Sequence, residues 1–375
     1  MRVITCVHQG YELYGSDRTF VSCVIFLRDL FPDAIFNIIL PKAGLLSAHL
    51  VDTGFRVEIH DLWVLRKSYG WLGLALRGLR LPSFVRRAAR LMDQSDLVYI
   101  NTAVILDFML ASRWSNSRAV LHLHEIPGGF VVKVLRLFVR FSRAAVVFNS
   151  RATQSHWAIP KAESQFMVHN GVDLVVSADP TPTLHQKLRV LMIGRINAGK
   201  GQELLIDALT LLSADQLRRI EVQIVGDVFE GAPFRIALQN QIAASGLDHV
   251  VSLVGFADDP STFYDWCDLV VVPSRHPESF GLVAIEAMSN GKPVIAADHG
   301  GISEIVVDRE TGWLFEPNSA QALCEALTQS FDDEIRLKFG ANGRQRYLAR
   351  FTLSAFQSSF NAAILKVVHA GSEAR

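Results

Sequence analysis

Glu278 and Glu286 stand with seven residues between them in PESFGLVAIEAM, Pro277 to Met288, just after the β-branched run Leu269 to Val272. A strand leading into a loop and then a helix puts Glu278 at the strand's carboxyl end, where open α/β sheets bind ligands. The helix is expected to start near Phe280, with Glu286 about two turns in. Carboxylates so placed can accept sugar hydroxyls, and the amides of Phe280, Gly281 and Leu282 can receive phosphate oxygens. The competing reading makes Glu278 an N-terminal helix charge and Glu286 part of a solvated face. Spacing alone does not separate the two.

A second segment, GRINAGKG (Gly194 to Gly201), follows the strand-like Val190 to Ile193 and opens a helix with Leu204, Leu205, Ala208, Leu211 and Leu212 at helical spacing. Arg195 and Lys200 then lie at a helix N-terminus, where backbone N–H groups and the helix dipole favour an anion such as a diphosphate. Gly194, Gly199 and Lys200 nearly spell a Walker A loop, but Gly201 occupies the place of the hydroxyl that should reach Mg²⁺. A surface loop with two ordinary cations is the plain alternative.

VLHLHEIPGG, Val120 to Gly129, ends a strand on His122, His124 and Glu125, with both histidines on one strand face by alternation. A zinc site would need a third ligand, and none comes at a recognisable spacing. A substrate contact by His124 suits its strand-end position better. After the first strand, YELYGSDRTF places Gly15, Ser16 and Asp17 in a loop that could face a ligand, or could merely cap a helix beginning near Arg18. Residues 66–92 carry seven cations and no acid, interleaved with Tyr69, Trp71, Phe84 and several leucines. That pattern suits an amphipathic helix on anionic lipid, or else a core helix with basic edges. Nothing else in the chain supports nucleic acid as a partner.

Short apolar runs must position these residues: Val3 to Val7, Ile35 to Leu40, Leu97 to Ile100, Val120 to Leu123, Ala145 to Phe148 and Phe166 to Val168, with helical stretches between them. The pattern lapses at the proline-bearing SADPTPTLHQ and restarts at Val190, Val222, Val251, Leu269 and Val294. Such alternation predicts parallel, doubly wound sheets. The length of 375 residues suits two domains: 1–178, 186–350, and a last helical piece, 351–375, expected to return toward the first domain. Net charge is zero, but the chain up to His185 holds 20 basic and 14 acidic residues, the remainder 17 and 23. The first half is therefore the better candidate for an anionic partner. Cys6, Cys23, Cys267 and Cys324 form no metal-binding spacing and read as core thiols in a reducing compartment. No apolar run reaches a membrane span, so a cytoplasmic protein is expected, with peripheral contact at the inner face of the cytoplasmic membrane left open.

The glutamate pair in PES-FG-EAM-G-PVIA, the GRINAGKG loop, IVGD, LVGF, GGISEIV and TGWLF together resemble the retaining GT-B glycosyltransferases of glycosyltransferase family 4. HLHEIP, VFNS and HNGVD extend the resemblance into the first half. It implies an α/β GT-B fold, two Rossmann-like doubly wound domains facing a cleft, and a nucleoside-diphosphate sugar as donor. Arg195 and Lys200 would hold the diphosphate, Glu286 the ribose, Glu278 and His124 the transferred sugar, and Gly255 and Phe256 the nucleobase. Gly194 and the amides of Phe280 to Leu282 would complete the donor site, with Gly15, Ser16 and Asp17 on the acceptor side. The first loop departs from the family's usual two glycines, leaving that acceptor assignment the weakest. Retention without a divalent metal or other cofactor is implied, with a glycan or lipid-linked acceptor, as in surface polysaccharide or glycolipid assembly. A non-catalytic nucleotide- or sugar-binding protein of the same fold, and a P-loop-like NTPase, are the alternatives. Donor sugar and base are not legible.

Overall fold

Continuous apolar strands set the architecture. In a parallel sheet both faces are covered by helices, so strands such as LVYI and AVVF are buried at every position. The computed structural model of this chain describes residues 1–13, 15–65, 70–160, 164–173, 185–227 and 233–370, without the side chains of residues 70–72, 74 and 75. It divides into two units, Met1–Asn170 with Phe356–Arg375, and Gly171–Ala355. The linker expected between residues 179 and 185 lies almost wholly outside the described residues. Val172 belongs to the second unit because its N–H donates to the Phe351 carbonyl at 3.1 Å and it bridges Thr352.

The first unit runs β1 (Val3–Val7), α1 (Gly15–Leu30), β2 (Ile35–Leu40), α2 (Leu45–Asp52), β3 (Arg56–Ile59), α3 (Gly70–Asp93), β4 (Leu97–Ile100), α4 (Leu106–Ala111), β5 (Arg118–Leu123), α5 (Gly129–Phe141), β6 (Ala145–Phe148), α6 (Arg151–Trp157) and β7 (Gln165–Met167). Its parallel sheet has the order β3-β2-β1-β4-β5-β6-β7. Strand order reverses between β1 and β4, and the carboxyl ends there form the switch point at which such sheets take ligands.

The second unit runs β8 (Leu188–Ile193), α7 (Gln202–Leu209), α8 (Ala214–Arg218), β9 (Ile220–Val225), α9 (Pro233–Ala244), β10 (Val251–Gly255), α10 (Ser261–Trp266), β11 (Leu269–Val272), α11 (Leu282–Ser289), β12 (Val294–Ala297), β13 (Gly312–Phe315), α12 (Ala320–Gln329) and α13 (Asp333–Arg350). The parallel order is β10-β9-β8-β11-β12-β13, with its switch point between β8 and β11. The last helix, α14 (Leu353–Ala370), joins the first unit from Phe356 onward. There Phe356 meets Phe26 edge-on at 5.1 Å and Phe360 meets Tyr99 at 5.7 Å.

Two doubly wound Rossmann-like units are thus the architecture the sequence predicts. The helix after the first strand begins at Gly15 rather than near Arg18, so Asp17 lies inside its first turn. Among the described residues, no helix is long and apolar enough to cross a membrane.

Candidate functional site

The loops after β8 and β11 leave the second sheet on either side of its switch point and are stitched together. Gly201, at φ +83°, caps α7 so close to the other loop that a Cβ there would lie 2.0 Å from the Pro273 carbonyl oxygen. The Arg275 amide donates to the Gly199 carbonyl at 2.9 Å. Asn197 turns the first loop by accepting from the Gly199 amide on its side chain and from the Lys200 amide on its carbonyl. A serine or threonine at position 201 would collide with backbone, so this loop cannot become a Walker A loop by that exchange.

At this seam the Lys200 ammonium lies 2.7 Å from Glu278 Oε1, which also accepts a short hydrogen bond from the Ser274 hydroxyl. The glycine pair after β12 holds the Glu278 backbone: the Gly301 amide donates to its carbonyl at 2.7 Å, and a Cβ on Gly300 would stand 2.4 Å from that oxygen. His299 fixes the Ser274 carbonyl at 2.7 Å. Burial pushes the Glu278 carboxyl up, but the Lys200 charge and the hydrogen bonds from Lys200 and Ser274 outweigh it and hold the group below the usual glutamate range. Glu278 is therefore an ion-paired carboxylate rather than a free helix charge.

The helix after Glu278 begins at Leu282, with Gly281 as its cap at φ +120°, so the start expected near Phe280 falls two residues late. Phe280 is buried and packs edge-on against Phe351 at 6.1 Å. Glu286 consequently lies one turn in, not two. It is half-buried, and the hydroxyl of fully buried Tyr264 donates to its Oε2 at 2.7 Å. That bond removes the solvated-face reading. Gly194 extends β8, its amide donating to the Val225 carbonyl at 2.9 Å, while Arg195 lends its carbonyl to the Gln202 side chain. Gly255 ends β10, two strands from β8, and Phe256, just beyond it, is 55% exposed.

The first unit gathers a different set. His124 Nε2 lies 2.8 Å from Asn101 Oδ1, and the His122 and His124 rings lie with centroids 3.8 Å apart, tilted by 42°. Burial pushes the His124 imidazole down to about 3, so it is neutral at physiological pH. The carboxylate of Glu125 engages the Thr102 hydroxyl. Among the described residues no three histidine, cysteine or acidic side chains are grouped to hold a metal ion. Ser16 is exposed and Gly15 opens α1, whereas Asp17 is buried, its Oδ1 2.8 Å from His8 Nε2. Sequence reasoning passed over His8, Asn101, Ser274 and Tyr264. Of these His8 and Asn101 carried a signal, since each directly follows a strand as His124 does.

Residues 179–346, somewhat under half the chain, match the family model of glycosyl transferases group 1. The chain is 26% identical over 281 residues to the lipopolysaccharide 1,2-N-acetylglucosaminetransferase of Salmonella typhimurium, covering 69% of this chain and 70% of that one. It is 37% identical over 156 residues to the D-inositol 3-phosphate glycosyltransferase of Corynebacterium aurimucosum, where the match spans 41% of this chain and only 37% of the relative's length. The structure of Anabaena HepE in complex with UDP and glucose superposes with a TM-score of 0.80 at 25% identity, over 96% of this chain and 98% of that one. Residues 179–346 therefore match the glycosyl transferases group 1 family model, in a chain whose two parallel-sheet units have the GT-B fold of glycosyltransferases.

Proposed function

We propose that the chain is a retaining glycosyltransferase of family 4, moving a sugar from a nucleoside-diphosphate sugar to a glycan or lipid-linked acceptor. The observation that carries this reading is the Lys200–Glu278 pair, closed at 2.7 Å across the switch point of the second sheet. A sugar diphosphate needs a cation at its phosphates and an acceptor for its sugar hydroxyls, and this pair supplies both side by side. As the diphosphate departs, negative charge grows on its β-phosphate, and Arg195, Lys200 and the start of α11 stabilise that charge where it forms. Metal ions need have no part in such a step. Glu286, steadied by Tyr264, would take the ribose, exposed Phe256 with Gly255 the base, and His124 a hydroxyl of the transferred sugar. Attack on the same face as departure, without a covalent intermediate, accounts for retention.

The complexes of HepE with UDP and with UDP-glucose support a nucleotide sugar as donor, and the lipopolysaccharide relative of Salmonella typhimurium supports a glycan or glycolipid acceptor. A thermal-shift panel of nucleotide sugars tests the reading, because a donor that binds the folded chain raises its melting temperature by mass action. One nucleotide sugar should stand out, and an anomeric NMR spectrum of its product should show retained configuration. Hydrolysis of nucleoside triphosphates without sugar transfer would overturn the proposal in favour of an NTPase. Binding of a donor with no turnover on any acceptor would favour the non-catalytic alternative.

Contact with an anionic membrane belongs to the same reading. On α3, Leu76 and Leu79 are 60% and 80% exposed, but Arg77 is tied to Asp61 and the Leu62 carbonyl, and Arg87 to the Asp61 carbonyl. Residues 66–69 of the expected patch lie outside the described residues. A second set of exposed apolar residues lies on α5, where Phe130, Leu137 and Phe141 accompany the exposed Lys133 and Arg140. Apolar groups flanked by cations favour the interface of anionic lipid. Vesicles containing phosphatidylglycerol should co-sediment the protein at low salt, less so after Phe130→Ser with Leu137→Ser. Equal recovery with neutral vesicles, or none with either, would remove the membrane from the proposal.

A further inference from the structure

His8, Asn101 and His124 follow the carboxyl ends of β1, β4 and β5, around the switch point of the first sheet. They form a line of hydrogen bonds with Asp17 at its head: Asp17 Oδ1 to His8 Nε2 at 2.8 Å, His8 Nδ1 to Asn101 Nδ2 at 3.0 Å, and Asn101 Oδ1 to His124 Nε2 at 2.8 Å. Tyr99, whose hydroxyl lies 2.7 Å from Asn101 Oδ1 and from His122 Nδ1, braces the middle.

The proton positions follow from what each group can donate or accept. A carboxylate only accepts, so the His8 proton is on Nε2. His8 Nδ1 is then a lone pair and takes a hydrogen from the Asn101 amide nitrogen. That choice turns the Asn101 carbonyl oxygen toward Tyr99 and His124, and an oxygen there calls for N–H at His124 Nε2. A neutral imidazole protonated at Nε2 has its lone pair at Nδ1.

We propose that Asp17, His8 and Asn101 are positioning residues that lock His124 in its Nε2–H tautomer, so that its Nδ1 accepts a hydrogen bond from a substrate hydroxyl. The line is built tightly. His8 stacks on Phe20 at 4.7 Å, and Phe360 of α14 packs against Tyr99 and His122. Gly10 leaves room for the first link, since a Cβ there would stand 2.1 Å from Asp17 Oδ1 and 2.6 Å from His8 Nε2. Burial keeps His124 neutral, the condition under which a single tautomer has meaning. The relay also defines the chemistry His124 can recognise: a group that donates, such as a sugar hydroxyl, and not a fluorine or an ether oxygen. This consequence rests on the proposed function, whereas the tautomer does not.

Long-range ¹H–¹⁵N correlation spectra of the full chain labelled in histidine, with His124 assigned by loss of its signals in His124→Gln, test the relay directly. A single Nε2–H tautomer is expected in the wild-type chain, and Nδ1–H or a mixture would overturn the proposal. Asn101→Leu should lose the single tautomer, while Asn101→Asp, which still accepts from Nε2, should keep it. With a working donor, kcat should fall about tenfold in Asn101→Leu, as for other residues that orient a functional histidine, and Asn101→Asp should restore most of it. A single Nε2–H tautomer surviving in a folded Asn101→Leu chain would also overturn the relay. If no donor is turned over, the proposed function fails, and the wild-type spectrum still decides the relay.

Discussion

Lys200→Ala and Glu278→Gln are each expected to lower sugar transfer by about 100- to 1,000-fold, the range seen when one preorganised charge-stabilising group is removed from an active site. The two losses differ in kind. Lys200→Ala removes a cation from the diphosphate and also leaves Glu278, whose side chain is only 15% exposed, with the Ser274 hydroxyl but without its counter-ion. Burial, the largest influence on Glu278, then acts with less opposition, and its carboxyl should rise from below the ordinary range to above it. The sign follows from linkage. A carboxyl depressed in the folded state stabilises the fold above its unfolded pKa, and that stabilisation is lost as pH falls through the folded value. In the wild-type chain the acid limb of activity that Glu278 sets should therefore lie below the usual glutamate range, and in Lys200→Ala it should move to higher pH. Glu278→Gln keeps the shape and one acceptor while discarding the charge, so no such limb should remain. The two residues share one contact, so the double variant should be little worse than either single one. Rate profiles against pH for the three variants check this, and unimpaired turnover in both single variants would place the donor site elsewhere.

How much of this was legible depended on what each residue announces about itself. Strands buried on both faces, such as LVVV at Leu269–Val272, read as uninterrupted apolar runs. The edge strands β3 and β13 did not. RVEI is polar at alternate places and exposed at both ends, and GWLF opens on Gly312, where a Cβ would stand 2.0 Å from the Val294 carbonyl oxygen. Edge strands need satisfy only one neighbour, and their composition says less. Glu278, Glu286, Arg195 and Lys200 were recognisable because their motifs are local. Their supports come from elsewhere: Tyr264 reaches Glu286 from 22 residues away, and His299 reaches Ser274 from 25. Sequence spacing cannot pair such residues. The misplacement of the α11 start has a local cause, the positive φ of Gly281, which ends the loop two residues later than helical periodicity suggests. Asp17 looked like a loop or capping residue because its partner, His8, is a lone histidine whose burial only the folded sheet reveals.

Gly201→Ala and Gly300→Ala should each cost about 3 kcal/mol of stability, near the upper end for a backbone-strain substitution, and should take donor binding down with it. Both glycines have positive φ, +83° and +71°, which an alanine adopts only with strain. Space is the larger obstacle. The new Cβ would meet the Pro273 carbonyl oxygen at 2.0 Å in one case and the Glu278 carbonyl oxygen at 2.4 Å in the other. A carbonyl within a loop cannot swing aside as the tip of a long side chain can, so the loops themselves must part. Those loops carry Lys200 and Glu278, and parting them opens the 2.7 Å pair between the two. Gly78, in the body of α3 at negative φ with nothing within 4 Å of its Cβ position, is the matched control. Alanine there should stabilise by about 0.5–1 kcal/mol through helix propensity alone. Denaturant curves for the three variants, read with donor-induced thermal shifts, compare them directly. If Gly201→Ala matched Gly78→Ala in stability and still bound donor, the close approach of the two loops would not be what holds the site together.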